Sequence, residues 1–334
     1  MSDETTRFSK DVETRKVQRL GSSSLFITLP KKWINKWGIK PGDKIIMEVS
    51  EDGTLRLVAE KIKLNSNKRS VKIDIDSFKQ SMTTAIPCLY ALGYDEIIFS
   101  SRKNLEHKEV EDVMNFSKQL VGIEVSEVAE DRIKLDCLLD TEKIGIESLL
   151  RRILNIIAKK VDDIIAILKG QNQSEVQSTI EDLRRVYLML LRRSMGGRYN
   201  SERDTLRNFI IAVNSSILLR VYHVMQKLNG VIKKDEKLRN DQEINKKLIE
   251  VFQKINDLFD EIIMSILFPS IKRISNGFTL ISQIKLALSQ INTDNQILLS
   301  YMDDLLTMLE EALNNSSCSL FLEEAPWIER NLSS

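Results

Sequence analysis

The chain holds 334 residues, with 49 Lys and Arg against 48 Asp and Glu, and is 42% hydrophobic and 29% charged. That length suits two or three domains, and the composition is that of a folded globular chain rather than collagen, a disordered tail or a disulfide scaffold. Three scattered cysteines, Cys88, Cys137 and Cys318, and two distant histidines, His107 and His223, argue against zinc sites and imidazole triads. The expectation is a non-enzyme with three core thiols, no metal and no cofactor. No uncharged apolar run reaches the roughly 18 residues of a bilayer span, the longest candidate being 262–271. The polar N-terminus lacks the apolar core of a secretory signal, so a cytoplasmic location is expected.

Charge is unevenly placed. Residues 1–70 carry 15 Lys and Arg against 9 Asp and Glu, and from Thr14 to Gly42 no acidic residue occurs. In that stretch Arg15, Lys16, Arg19, Lys31, Lys32, Lys36 and Lys40 accumulate. A small module so biased attracts phosphate backbones, although a charge run can also merely solvate a face.

In chain order, 15–20 reads as a strand, 21–24 as a turn and 25–28 as a second strand. Leu29-Pro30 opens a two-turn helix over 31–37, because proline suits a first helical turn and Gly38 can stop the helix in a left-handed conformation. A turn at 40–43 leads to strands at 44–49 and 54–58, joined at Glu51-Asp52-Gly53. A unit of about 45 residues is marginal alone, so dimerisation is predicted to complete its core.

The segment RKVQRLGSSSLFITLPKKWINKWGIKPGDKIIMEVSEDGTLRLV resembles the SpoVT/AbrB-like swapped-hairpin domain. Its basic first strand ending in Leu20-Gly21, the Ile27-Thr28-Leu29-Pro30 helix entry and Gly38-Ile39-Lys40-Pro41-Gly42-Asp43 carry the likeness. The resemblance implies a homodimer that exchanges hairpins over residues 12–62 and contacts DNA through Arg15, Lys16, Arg19, Lys31, Lys32 and Lys36. Ser22, Ser23 and Ser24 join them as phosphate donors, though any hairpin needs a polar turn. Ile34 and Asn35 stand where some bacterial members carry arginine, so no sequence preference transfers.

Residues 68–140 read as a small α/β sandwich. Val71, Ile73 and Ile75 alternate; a helix to Leu92 that Pro87 should kink or shorten precedes a strand at 96–99; a helix at 106–120 and two paired strands follow. Gly93-Tyr94-Asp95 reads as a helix stop. From 142 to 315 the pattern turns to amphipathic helices, six in all, at about 143–169, 174–195, 202–229, 240–268, 270–290 and 294–315, with a tail at 316–334. Two sequential triplets suggest two three-helix units.

The stretch 182–193, DLRRVYLMLLRR, makes the helical half resemble PhoU, the phosphate-uptake regulator built of tandem three-helix bundles. Leu120-Val121-Gly122-Ile123-Glu124-Val125 and Ala91-Leu92-Gly93-Tyr94-Asp95 resemble the α/β segment of archaeal members that carry an AbrB-like head. The family's metal-binding acidic pairs fall here on Ile180 with Arg184 and on Ile210 with Asn214, which supply no carboxylates. The arginines Arg184, Arg185, Arg192, Arg193 and Arg198 read as a partner-binding or solvated face, and His223 as a structural histidine.

The fold class expected is multidomain α+β: an AbrB-like swapped-hairpin β-barrel, a small α/β sandwich and all-α PhoU-like tandem three-helix bundles. The resemblances imply a DNA-binding transcriptional regulator of phosphate uptake. The alternative is a PhoU-type adaptor docking on phosphate-transporter components, with the head serving mainly for dimerisation.

Overall fold

The computed structural model describes residues 13–21, 24–49, 53–60, 68–78, 80–140, 143–171, 180–197, 199 and 201–322. The chain divides into two compact units, Met1–Lys68 and Arg69–Ser334.

In the first unit, β1 (Gln18–Leu20) and β2 (Ser24–Phe26) form one antiparallel ribbon, and β3 (Ile45–Val49) and β4 (Leu55–Ala59) form another. Between them lies α1 (Lys31–Trp37), with the bounds its sequence predicts. Pro30 enters it in an extended conformation, and Gly38 ends it at φ +58°, where Ile39 N–H reaches Ile34 O at 3.0 Å. The first strand is shorter than expected: the ladder begins at Gln18, opposite Phe26, and leaves Arg15 and Lys16 ahead of it.

Register decides which face of the second ribbon is apolar. Met47 pairs with Leu57 and Val49 with Leu55, whereas Glu48 faces Arg56 on the other side at 3.4 Å. Towards the Gly53 turn that apolar face is open among the described residues, with Met47 67% and Val49 82% exposed, while Ala59 at its other end is buried. Among the described residues of this unit, Ala59 is the one buried apolar side chain.

The second unit opens with β5 (Ser70–Asp74), α2 (Ile75–Phe78), α3 (Met82–Ala91), β6 (Glu96–Ser100), α4 (His107–Ser117), β7 (Ile123–Val128) and β8 (Arg132–Cys137). Its sheet runs β5-β6-β8-β7, with β5 and β6 parallel across the α3 connection and the other pairs antiparallel. Ile75 leaves the expected alternation to open α2, and α3 continues through Pro87 to Ala91. Ile86, Tyr90, Ile97, Phe99, Val113, Ile133 and Leu135 form the core of this layer.

The remainder is helical: α5 (Ile146–Leu168), α6 (Ile180–Met195), α7 (Glu202–Lys234), α8 (Glu236–Asn240), α9 (Gln242–Leu267), α10 (Ile271–Ser289) and α11 (Gln296–Cys318), closed by a 3-10 turn at Ser319–Leu322. Helices α5, α6 and α7 pack on one another, as do α9, α10 and α11, and the two sets join along α5–α9 and α7–α11. One continuous core runs through both. The expected break at Asn229-Gly230 does not occur. Leu228 and Ile232, both fully buried, hold α7 together across a glycine whose helical penalty is only about 1 kcal/mol. This helix is also long and apolar enough to cross a membrane by length and composition, but 56% of the qualifying window is buried inside the unit. Its apolar character is explained by its place between α5, α6 and α11.

The α/β layer and the helices form one body because Leu188 of α6 packs into the core of the sheet layer and Arg192 fastens the joint. Arg192, 2% exposed, donates to Tyr90 O at 3.0 Å and Tyr94 O at 2.8 Å and pairs with Asp95 Oδ1 at 2.5 Å. Its guanidinium lies 5.2 Å from the Tyr90 ring centre. Asp95 Oδ2 also accepts from Arg69 N–H at 2.9 Å, so one carboxylate ties the first residue of this unit to α6. Arg184 sits over the Phe116 ring at 5.7 Å, and Arg185 reaches Lys118 O at 3.3 Å. Arg192 is therefore buried inter-layer packing, whereas Arg184 and Arg185 stay exposed at the edge of the same contact; Arg198 lies outside the described residues. The thiols also differ from expectation: Cys88 and Cys318 are exposed, and Cys137 is only partly buried. Cys88 falls between the buried Ile86 and Tyr90 and so faces away from the core.

Candidate nucleic-acid interface

The described basic residues of the first unit all reach solvent. Arg15 and Lys16 lie just before β1, and Arg19 stands on β1 opposite Leu25. Ser24 opens β2 opposite Leu20, after a turn in which Gly21 adopts φ +70°. Ser22 and Ser23 lie outside the described residues. Residues 27–30 then lead into α1, where Lys31 and Lys32 occupy the first turn and Lys36 the last. Arg15, Lys16, Arg19, Ser24, Lys31, Lys32 and Lys36 are exposed.

Two features argue that this charge is more than solvation. Lysines in a first helical turn oppose the helix dipole, and α1 has no acidic residue there to offset them, so helix stability does not explain Lys31 and Lys32. The nearest acids are also engaged locally: Asp43 Oδ2 accepts from Lys40 N–H at 2.8 Å, holding the turn before β3, and Glu48 pairs with Arg56. Glu13 forms an ion pair with Arg15. Exposed pairs of this kind are worth about 0–1 kcal/mol, so Glu13 holds Arg15 only weakly. Lys36 Nζ rests 5.5 Å from the centre of the Trp37 ring, which fixes its charge at the end of α1.

Residues 18–66 match the family described as antidote-toxin recognition MazE, bacterial antitoxin. No curated protein and no solved structure matches the chain. The matched stretch takes in both ribbons and α1, and with them Arg19, Lys31, Lys32 and Lys36, while Arg15 and Lys16 precede it. The first unit is thus a MazE/AbrB-like domain, a class found in DNA-binding and antitoxin-type regulators.

The sequence pattern missed Glu13 as a competitor for Arg15, since an acid next to a basic strand reads as ordinary surface. It also missed the burial of Arg192. The signal available was its position on α6, four residues before Gly196, whose Cα lies close against Gly93.

Proposed function

We propose that the chain is a homodimeric, DNA-binding transcriptional regulator of the cytoplasm, whose head grips the phosphate backbone and whose helical body senses or relays phosphate status. The observation that carries this reading is the head: Arg19, Lys31, Lys32 and Lys36, with Ser24 beside them, lie exposed on a domain that matches the MazE antitoxin family, and Arg15 and Lys16 lie exposed just ahead of it. The exposed Met47 and Val49 on β3 support dimerisation, because a second copy is the simplest source of cover for them. Two-fold pairing doubles the basic contacts available to one duplex. The phosphate role rests on the resemblance of the helical half to PhoU, which the two tandem triplets of α5–α7 and α9–α11 support.

The description of the matched family favours a second reading, an antitoxin-type regulator that also binds a toxin. Against it stands the size of the second unit, Arg69–Ser334, where a short toxin-binding tail would suffice. The adaptor reading, docking on phosphate-transporter components, keeps the head as a dimeriser only.

The deciding experiment is binding of the full chain to promoter DNA of phosphate-transport genes, compared with shuffled DNA, with and without millimolar phosphate. Specific binding that shifts with phosphate is the expected result. Specific binding indifferent to phosphate removes the sensing role, and no preference over shuffled DNA favours the adaptor.

A further inference from the structure

Helices α7 and α11 leave an open cleft of about 350 Å³ along their outer side. Arg220, His223 and Val224 line it from α7, and Asp304, Met308 and Glu311 from α11. His223 is thus solvent-facing and shares its cleft with two carboxylates, which corrects the expectation of a structural histidine without acidic neighbours. The helices are antiparallel: Asn214 Nδ2 donates to Ser316 Oγ at 3.2 Å, and the cleft residues follow in opposite order along the two helices. That register sets Arg220 level with Glu311, Lys227 level with Asp303 and Asp304, and Phe209 level with Phe321.

The face is unfinished in two respects. Among the described residues Arg220, Asp304 and Glu311 have no ion-pair partner. At one end Phe209 is 66% and Leu206 42% exposed on α7, with Phe321 60% exposed beyond the end of α11. The α7 edge is basic, with Arg220 and with Lys227 held 5.4 Å from the Tyr301 ring centre, and the α11 edge is acidic.

We propose that this face binds a second copy of the same chain, related by a two-fold axis running along the α7–α11 groove. Rotation about that axis lays α7 of each copy over α11 of the other at the same level. Arg220 then meets the partner's Glu311, Lys227 meets the partner's Asp304, and Phe209 packs by the partner's Phe321. An axis across the groove would instead set α7 on α7 and α11 on α11, the basic edge against itself and the acidic edge against itself, which like charges disfavour. The charge pattern therefore selects both the occupant and the symmetry, and the aromatic end supplies the apolar anchor such interfaces use. The proposal does not depend on what the head binds.

The second unit contains its own two cores, so residues 69–334 can be tested as a fragment. Sedimentation equilibrium should show a fragment dimer at micromolar concentration. Arg220→Glu or Glu311→Arg alone should raise the dimer Kd by about tenfold or more, and the double variant should restore it to within about threefold. Melting curves of these surface variants should match the parent and so exclude unfolding as the cause. A monomeric fragment, single variants that associate like the parent, or a double variant that fails to recover would each overturn the proposal.

Discussion

Asp235 shows how one side chain joins two elements. It ends α7, its Oδ1 accepts from Lys237 and Leu238 N–H at 2.9 and 3.2 Å to start α8, and its Oδ2 accepts from Asn295 Nδ2 at 2.7 Å. Asn295 in turn caps α11 through Leu298 N–H at 2.9 Å. The Asn295 hydrogen bond, ahead of the two backbone donors, holds the Asp235 carboxyl below its ordinary 3.8. Because the folded value lies below that of the unfolded chain, the stabilisation is complete above 3.8 and drains away as pH falls through the folded value. Asp235→Ala should therefore cost about 1–2 kcal/mol near neutral pH, and the gap to the parent should close in acid, as read by urea denaturation across pH. A gap that stays constant into acid would remove the ionised cap from the account. None of this was legible in the sequence, where Asp235 reads as a polar residue after an apolar stripe. What fixes its role is Asn295, sixty positions away.

At the scale of elements, local grammar was a good guide wherever the element answered to its own residues. Helix α1 begins and ends where Pro30 and Gly38 say it should, and β3 and β4 flank the Gly53 turn within a residue of expectation. Tertiary burial overrode that grammar at Gly230, and at Gly93 it added a demand that spacing does not reveal. Gly93 and Gly170 both end helices at positive φ and look alike in sequence. Yet a Cβ on Gly93 would come within 2.8 Å of Gly196 Cα, whereas one on Gly170 would meet nothing within 4 Å. Gly170→Ala should therefore cost only the backbone strain, about 1–2 kcal/mol. Gly93→Ala should cost about 2–4 kcal/mol, because overpacking at the joint held by Arg192 adds to that strain. Denaturation midpoints of the two variants check this, and equal losses would mean that the α/β layer and α6 are not in tight contact.

At the scale of the whole molecule, the sequence made the division of labour visible through charge: a basic head of some seventy residues and a slightly acidic remainder. It did not show that the α/β layer and the helices act as one body, because that union depends in part on Arg192, whose burial only the packed structure reveals. The central claim is that the head meets DNA through Arg15, Lys16, Arg19 and the lysines of α1, two copies at a time. Its most direct measurement is the salt dependence of duplex DNA binding by the full chain, compared with the Arg15→Ala, Arg19→Ala double variant. The double substitution removes four arginines from each dimer. At about 0.9 per neutralised phosphate, it should flatten the slope of log K against log salt by roughly 3 to 4. A slope unchanged by the double substitution would contradict the account.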